Sequence, residues 1–319
     1  GVTVEPQPNF ALPSAAHGCG TATTLSDGAS RIAITVSTVA GQTAETVNVC
    51  IDGHGPYPFV LDTGDSQSTI DAGLAHRLHL PATSASSVFA GVGCTGTARP
   101  VLAARWSVGG KDLTPQDLTS ATLPQIGGKG EPDGLLGSDV LSTFGAVRID
   151  FAAGTLTLGG PQGKPDDSGN TFTGPKGPPP STVLTHGQTG TTIPLQVSTT
   201  PGDISLNVSV RFGRGRSYSF GVDTGSSQSV VNTPVATAVH LKSAQLDQQQ
   251  STVCSTITVP LDHTGPWSLP GLTLHKQLVG VTDFGPISSG GLNGLLGSDQ
   301  LRRFGWMILD YRGGRLVLG

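Results

Sequence analysis

Two carboxylates in matching surroundings are the residues of this chain best placed to do chemistry. Asp62 stands in Phe59-Val-Leu-Asp-Thr-Gly-Asp-Ser-Gln-Ser-Thr-Ile-Asp71, and Asp223 stands in Phe220-Gly-Val-Asp-Thr-Gly-Ser-Ser-Gln-Ser-Val-Val-Asn232. A single Asp-Thr-Gly is most often a turn. Two of them, each closing an apolar run and each followed by Ser-Gln-Ser, imply two copies of one unit that each present a carboxylate. Neighbouring carboxylates cannot both ionise freely and come to share a proton, which suits them to the acid/base activation of a water molecule.

Other side chains that could do chemistry read differently. Ser66, Ser68, Ser227 and Ser229 lack a Gly-x-Ser-x-Gly setting and are expected to be polar loop residues near the carboxylates. His76 and His79 are three apart in a helical stretch with no third ligand close by, so they read as helix-face residues and no metal site is expected. Asp139 and Asp299 are expected to support the first turn of a short helix.

The elements that must position the two aspartates repeat in register. Ile32–Gly41 lines up with Ile193–Gly202, and both alternate apolar and polar residues as half-buried strands do. Val47–Ile51 and Val208–Phe212 follow as second strands, and each leads through a turn-rich stretch into the strand that bears Asp-Thr-Gly. Residues 72–80 and 234–241 read as short helices. The final block repeats almost word for word, as Asp133-Gly-Leu-Leu-Gly-Ser-Asp-Val-Leu-Ser-Thr-Phe-Gly145 and Asn293-Gly-Leu-Leu-Gly-Ser-Asp-Gln-Leu-Arg-Arg-Phe-Gly305. Ser138 and Ser298 are expected as helix N-caps there, with Gly145 and Gly305 just past the end.

The bulk properties agree with an all-β chain of two lobes. In 319 residues there are 46 Gly, 23 Pro and only 13% charged residues, which suits many short strands joined by turns. A net charge of −4 with dispersed Lys and Arg offers no stripe for phosphate backbones, so nucleic acid is not an expected partner. No apolar run is long enough to span a membrane, and Gly1 begins the sequence without a charged then apolar leader, as in a processed chain. Cys19, Cys50, Cys94 and Cys254 lack Cys-x-x-Cys spacing and fit disulfides, hence a secreted or otherwise extracytoplasmic protein; four cysteines allow three pairings. By composition, residues 1–30 form an N-terminal arm and residues 160–191, rich in Pro and Gly, form a linker.

Each half, residues 31–159 and 192–319, resembles a subunit of the retropepsin-type aspartic proteases: two strands, apolar-Asp-Thr-Gly, a hairpin region, two apolar residues with Gly, then a short helix. Fusion of two such halves resembles the bilobal acid-protease fold of the pepsins, with pseudo-two-fold internal duplication, and implies a monomer. By this resemblance Asp62 and Asp223 form the catalytic dyad of an aspartic endopeptidase that cuts extended peptide or protein substrates, at acidic pH and without a cofactor. Thr63, Gly64, Asp65, Thr224, Gly225 and Ser226 would support the active-site loops, the threonines by hydroxyl-to-backbone bonds that lock one loop to the other. Leu135, Leu136 and Gly137, with Leu295, Leu296 and Gly297, would buttress them. Residues 84–102 and 244–260 take the place of the flaps that close over substrate. Cys94 and Cys254 fall in those flaps, so the resemblance implies a bond that staples the flaps and leaves Cys19 to pair with Cys50; unrelated buried thiols or bonds to the other two cysteines are the alternatives.

Two departures from the family pattern stand out. Asp65 follows Asp62-Thr-Gly where the family has Ala, Ser or Thr, and a third carboxylate beside the dyad is expected to raise its apparent pKa. Ser138 and Ser298 replace an arginine whose ion pair matters to such subunits. A duplicated fold that binds peptide without cutting it is the second reading, and Asp65 is its support.

Overall fold

The fold follows from two runs of short strands that cannot bury their apolar faces alone. In a computed structural model of the chain, residues 18–39, 42–124, 132–175 and 189–319 are described. Strands dominate, and the longest helices, such as Ala72–Arg77 and Thr233–Ala238, have six residues. Among the described residues no helix is long and apolar enough to cross a membrane.

Each half builds a sheet of the same strand order. In the first, Gln42–Ile51 pairs with His54–Leu61, which runs parallel to Gly134–Leu136; Thr69–Asp71, Gln116–Ala121, Cys94–Ala103 and Ser87–Gly91 follow outward. In the second, Asp203–Phe212, Ser217–Asp223, Gly294–Gly297, Val230–Asn232, Leu278–Thr282, Thr256–His263 and Lys242–Ser251 repeat the order. The glycine that opens each Gly-Leu-Leu-Gly strand is needed because an aromatic ring lies on it: a Cβ at Gly134 would sit 2.5 Å from the Phe59 ring, and Gly294 meets Phe220 in the same way. Such a contact leaves no room for a side chain.

A third sheet, of seven strands, is shared. Ala146–Asp150 lies antiparallel to Trp306–Asp310 at its centre, with Arg148 opposite Ile308. These two residues are 160 apart, as are Cys94 and Cys254, so the pseudo-two-fold axis passes between them. Apolar residues of both halves form one continuous core that runs from Ile32 to Leu318.

The structure alters three sequence expectations. Residues 160–191 are not free of regular structure: Thr171–Thr173 pairs with Gln196–Thr200 at the edge of the second lobe's sheet, while 176–188 lie outside the described residues. The end of the N-terminal arm is built into the shared sheet through Thr23–Thr24 and Ser30–Ala33, and residues 1–17 lie outside the described residues. The N-caps of the repeated helices are Gly137 and Gly297, neither with a side-chain cap bond; Ser138 and Ser298 are the first helical residues. The Ser138 hydroxyl instead donates to the Thr63 carbonyl at 2.8 Å and lies 2.9 Å from the Tyr311 hydroxyl, so it is spent on tertiary contacts. Gly145 and Gly305, each at φ 78°, end the short helical stretches as expected of glycine.

An ion pair between Glu45 and Arg302 crosses from one half to the other. Glu45 on the strand Gln42–Ile51 is fully buried, and Arg302 donates to its Oε1 through Nε at 2.8 Å and also through Nη2. Burial outweighs the arginine and holds the Glu45 carboxyl above its ordinary range. Removing one partner of a buried pair strands the other charge. Arg302→Met is therefore expected to cost about 3 kcal/mol at pH 7 by urea unfolding, and the loss should shrink in acid, where Glu45 is protonated and needs no countercharge.

Candidate active site

The site begins with the short turn that each Asp-Thr-Gly makes after its strand. Asp62 Oδ1 accepts the amides of Gly64 at 3.0 Å and Asp65 at 3.1 Å, and Asp223 Oδ1 accepts those of Gly225 at 2.9 Å and Ser226 at 3.1 Å. Each carboxylate thus closes its own loop. The two loops then bond to one another through the threonines. Thr63 Oγ1 donates to the Val222 carbonyl at 2.9 Å and accepts the Thr224 amide at 3.0 Å; Thr224 Oγ1 donates to the Leu61 carbonyl at 2.6 Å and accepts the Thr63 amide at 3.1 Å. Both threonines are buried. A hydroxyl can donate once and accept as well, so four bonds use every group at the junction.

This junction brings Asp62 and Asp223 together. A Cβ on Gly64 would lie 2.6 Å from Asp223 Cγ, and one on Gly225 would run into the Asp62 carboxyl, so only glycine permits the approach. The two half-buried carboxyl groups face each other across these glycines, and loss of solvent around them holds both above their ordinary pKa. For Asp62, which is pushed up well above, the charges of Asp223 and then Asp65 add to burial; for Asp223 the bond from Asp62 and the amides of Ser226 and Gly225 oppose it. Two acids so close titrate as a coupled pair.

Leu135-Leu-Gly137 and Leu295-Leu-Gly297, expected as the buttress, lie beside the aspartate strands. The Asp62 amide donates to Leu136 O at 2.9 Å, and Leu135 and Leu295 sit in parallel register with Val60 and Gly221. A second support was missed in the sequence. Ser68 donates from its amide at 2.9 Å and its hydroxyl at 2.7 Å to Asp139, and its Oγ accepts the Gly137 amide at 2.9 Å; Ser229, Asp299 and Gly297 reproduce these bonds with the same distances. Gln116 and Gln277 each donate to the same aspartates at 2.6 Å. Asp139 and Asp299 do cap the amides of Val140 and Gln300, as expected, yet most of their bonds tie the active-site loops to the helices. The readable signal was the pairing of Ser-Gln-Ser with Gly-Ser-Asp in both halves.

Asp65 breaks the symmetry. Its carbonyl still accepts the Ser138 amide at 2.8 Å, as that of Ser226 accepts Ser298 at 2.9 Å. Its carboxyl accepts the Gln67 amide at 3.2 Å and the Thr69 hydroxyl at 3.1 Å, whereas the Ser226 hydroxyl donates to Gln228 O at 2.6 Å. Burial, with the nearby Asp139 charge, raises Asp65 to about 7. In acid it is therefore neutral, and its charge bears on the dyad only near neutrality and above.

The flap segments are hairpins, Ser87–Gly91 with Cys94–Ala103 and Lys242–Ser251 with Thr256–His263. Cys94 is bonded to Cys254 with Cα atoms 6.1 Å apart, and Cys19 to Cys50 at 5.8 Å. His76 and His79 have ring centroids 6.4 Å apart, and no group of three or more metal-ligating side chains is present among the described residues.

The sequence model of the family described as aspartyl protease matches residues 47–140 and 208–300, one block in each half. No curated protein sequence matches the chain. Among solved structures, an aspartic proteinase from Irpex lacteus is similar at a TM-score of 0.54 and 16% identity, over 92% of this chain and 97% of that one. At that identity the likeness speaks to the fold, which is the bilobal all-β arrangement of pepsin-like proteinases. With the family matched twice over more than half its length, the chain belongs to the aspartyl protease family.

Proposed function

We propose that the protein is an aspartic endopeptidase in which Asp62 and Asp223 activate water against an extended polypeptide. The observation that carries this reading is the close approach of the two carboxyls, which Gly64 and Gly225 permit, held by the four threonine bonds. The ionised carboxylate takes a proton from a water molecule as its oxygen bonds the scissile carbonyl carbon, and the protonated partner gives its proton to the carbonyl oxygen. The C–N bond then breaks as one carboxyl gives its proton to the amine nitrogen and a hydroxyl of the tetrahedral intermediate gives its proton to the other carboxylate, so the dyad regains its single proton. Substrate main chain lies along the cleft by strand addition, with side-chain pockets setting preference. Because one acid must stay protonated, activity belongs at acidic pH, and an extracytoplasmic setting fits the two disulfides.

Digestion of unfolded casein across acidic pH, with and without a statine-type inhibitor, tests this reading. Asp62→Asn and Asp223→Asn are each expected to lower kcat/KM by at least about a thousandfold, since either removes one member of a pair that acts as a unit. Retention of more than a few per cent of activity in either folded variant would sink the dyad.

Asp65 supplies a pH prediction with two readouts. Its pKa is raised in the fold, so the stability tied to it is present at low pH and lost as pH rises through about 7. Asp65→Asn, which keeps an acceptor for Gln67, should raise the melting temperature at pH 8 and change it little at pH 4. The upper limb of the rate profile should move to lower pH by up to about one unit, because a like charge beside the dyad is gone. An unchanged profile would remove Asp65 from any part in tuning the site.

A further inference from the structure

The roof of the cleft is closed by covalent and apolar contacts that reach from one lobe to the other. The turn of the first hairpin, Gly91-Val-Gly-Cys94, packs into the turn of the second, Thr252-Val-Cys-Ser255. A Cβ on Gly91 would lie 2.5 Å from Val253 Cγ1 and 3.2 Å from both bonded sulfurs. Thr252 Oγ1 lies 3.1 Å from Cys94 Sγ, and Gln42 of the first lobe donates to Gln249 O of the second hairpin at 2.9 Å.

The turn of the second hairpin touches both lobes. Beside the turn, where Gln250 pairs with Ile257, Gln250 donates to Gln228, on the loop that carries Asp223. At its tip, Val253 packs on a small apolar cluster of the first lobe, Val60, Leu123 and Leu135, and Val60 is two residues before Asp62. Along His54–Leu61 the side chains at positions 54, 56 and 58 are half-exposed, whereas Val60 on the same face is buried. The hairpin tip is among the groups that cover it.

The contacts form a closed circuit. The Asp62 loop is bonded to the Asp223 loop through Thr63 and Thr224, the second lobe leads to its hairpin, the Cys94–Cys254 bond joins the hairpins, and the first lobe returns to Asp62. Two hairpins that merely touch can part to admit a chain from the side. Two that are bonded cannot.

We propose that this covalent roof makes the cleft a tunnel entered end-first, so that the substrates are linear, unfolded polypeptides with a free end, and ring-closed or loop-constrained forms of the same sequence are excluded. The inference rests on the peptidase reading and adds the substrate class. A ring or a folded loop has to enter doubled back, and two paired strands need about 4.8 Å more width than one. A single chain passes extended and meets the dyad as it is drawn through.

The test compares one sequence in two forms, a linear peptide spanning a cut found in casein and the same peptide closed head to tail. The disulfide-closed enzyme is expected to cleave the linear form at least about 100-fold faster by kcat/KM. The variant Cys94→Ser/Cys254→Ser, which leaves Cys19–Cys50 intact, should bring the two rates within about fivefold, because its hairpins can separate. Should that variant not fold, mild reduction of the folded wild type, with opening of Cys94–Cys254 followed by mass, gives the open form. Equal discrimination by closed and open enzyme would overturn the tunnel while leaving the peptidase reading in place. Failure of either form to cut casein at all would overturn the peptidase reading itself and the tunnel with it.

Discussion

Two carboxyl groups pressed together repel when both are charged, and the rest of this structure is arranged to hold them there. At an effective dielectric of about 20, two unit charges about 4 Å apart cost roughly 4 kcal/mol. Four hydrogen bonds at about 1 kcal/mol each match that and no more. The junction of Thr63 and Thr224 therefore suits the singly protonated pair that we propose, and loss of solvent around Asp62 favours its protonated form.

The second demand is rigidity beneath the loops. Parallel insertion of Gly-Leu-Leu-Gly beside each aspartate strand and the Ser68–Asp139 and Ser229–Asp299 links fix both loops from below. The shared sheet fixes the lobes behind them, where Ala146–Asp150 pairs residue for residue with its own repeat. In that sheet Arg148 is buried with its guanidinium 4.4 Å over Trp306 and bonded to Asp150, while Asp310 holds Arg315 at 3.0 Å, so its charges are matched within the interface. With floor and back rigid, freedom to admit substrate falls to the hairpins, and there Cys94–Cys254 restricts it.

What could be read from the sequence was whatever the duplication wrote twice. The Asp-Thr-Gly strands, the Gly-Leu-Leu-Gly strands, the paired hairpins and the bilobal fold each appear in both halves. Of the features present once, Asp65 could be read as a break in the repeat, and others could not be read. Glu45 and Arg302 occupy positions that are Leu206 and Ser142 in the other half, so no repeat pointed to their ion pair. Thr171–Thr173 has a single apolar residue, Phe172, in a stretch dominated by Pro, Gly and Asp, and its pairing is imposed by the neighbouring lobe edge. Ser138 was misread as a cap because local preference points that way, whereas the buried carbonyl of Thr63 competes for the same hydroxyl and wins. The equivalent places of Cys94 and Cys254 in the two halves let the resemblance imply their bond, and both it and Cys19–Cys50 are present.

The central claim, one proton shared by two buried acids, is tested most directly by titration of the aspartate carboxyl carbons by NMR, with Asp62→Asn and Asp223→Asn to assign the pair. The account predicts that one carboxyl of the pair stays protonated well above the usual value of about 4, in a step coupled to its partner and absent from either variant. Two aspartates that titrate independently near that ordinary value, each unmoved by substitution of the other, would contradict it.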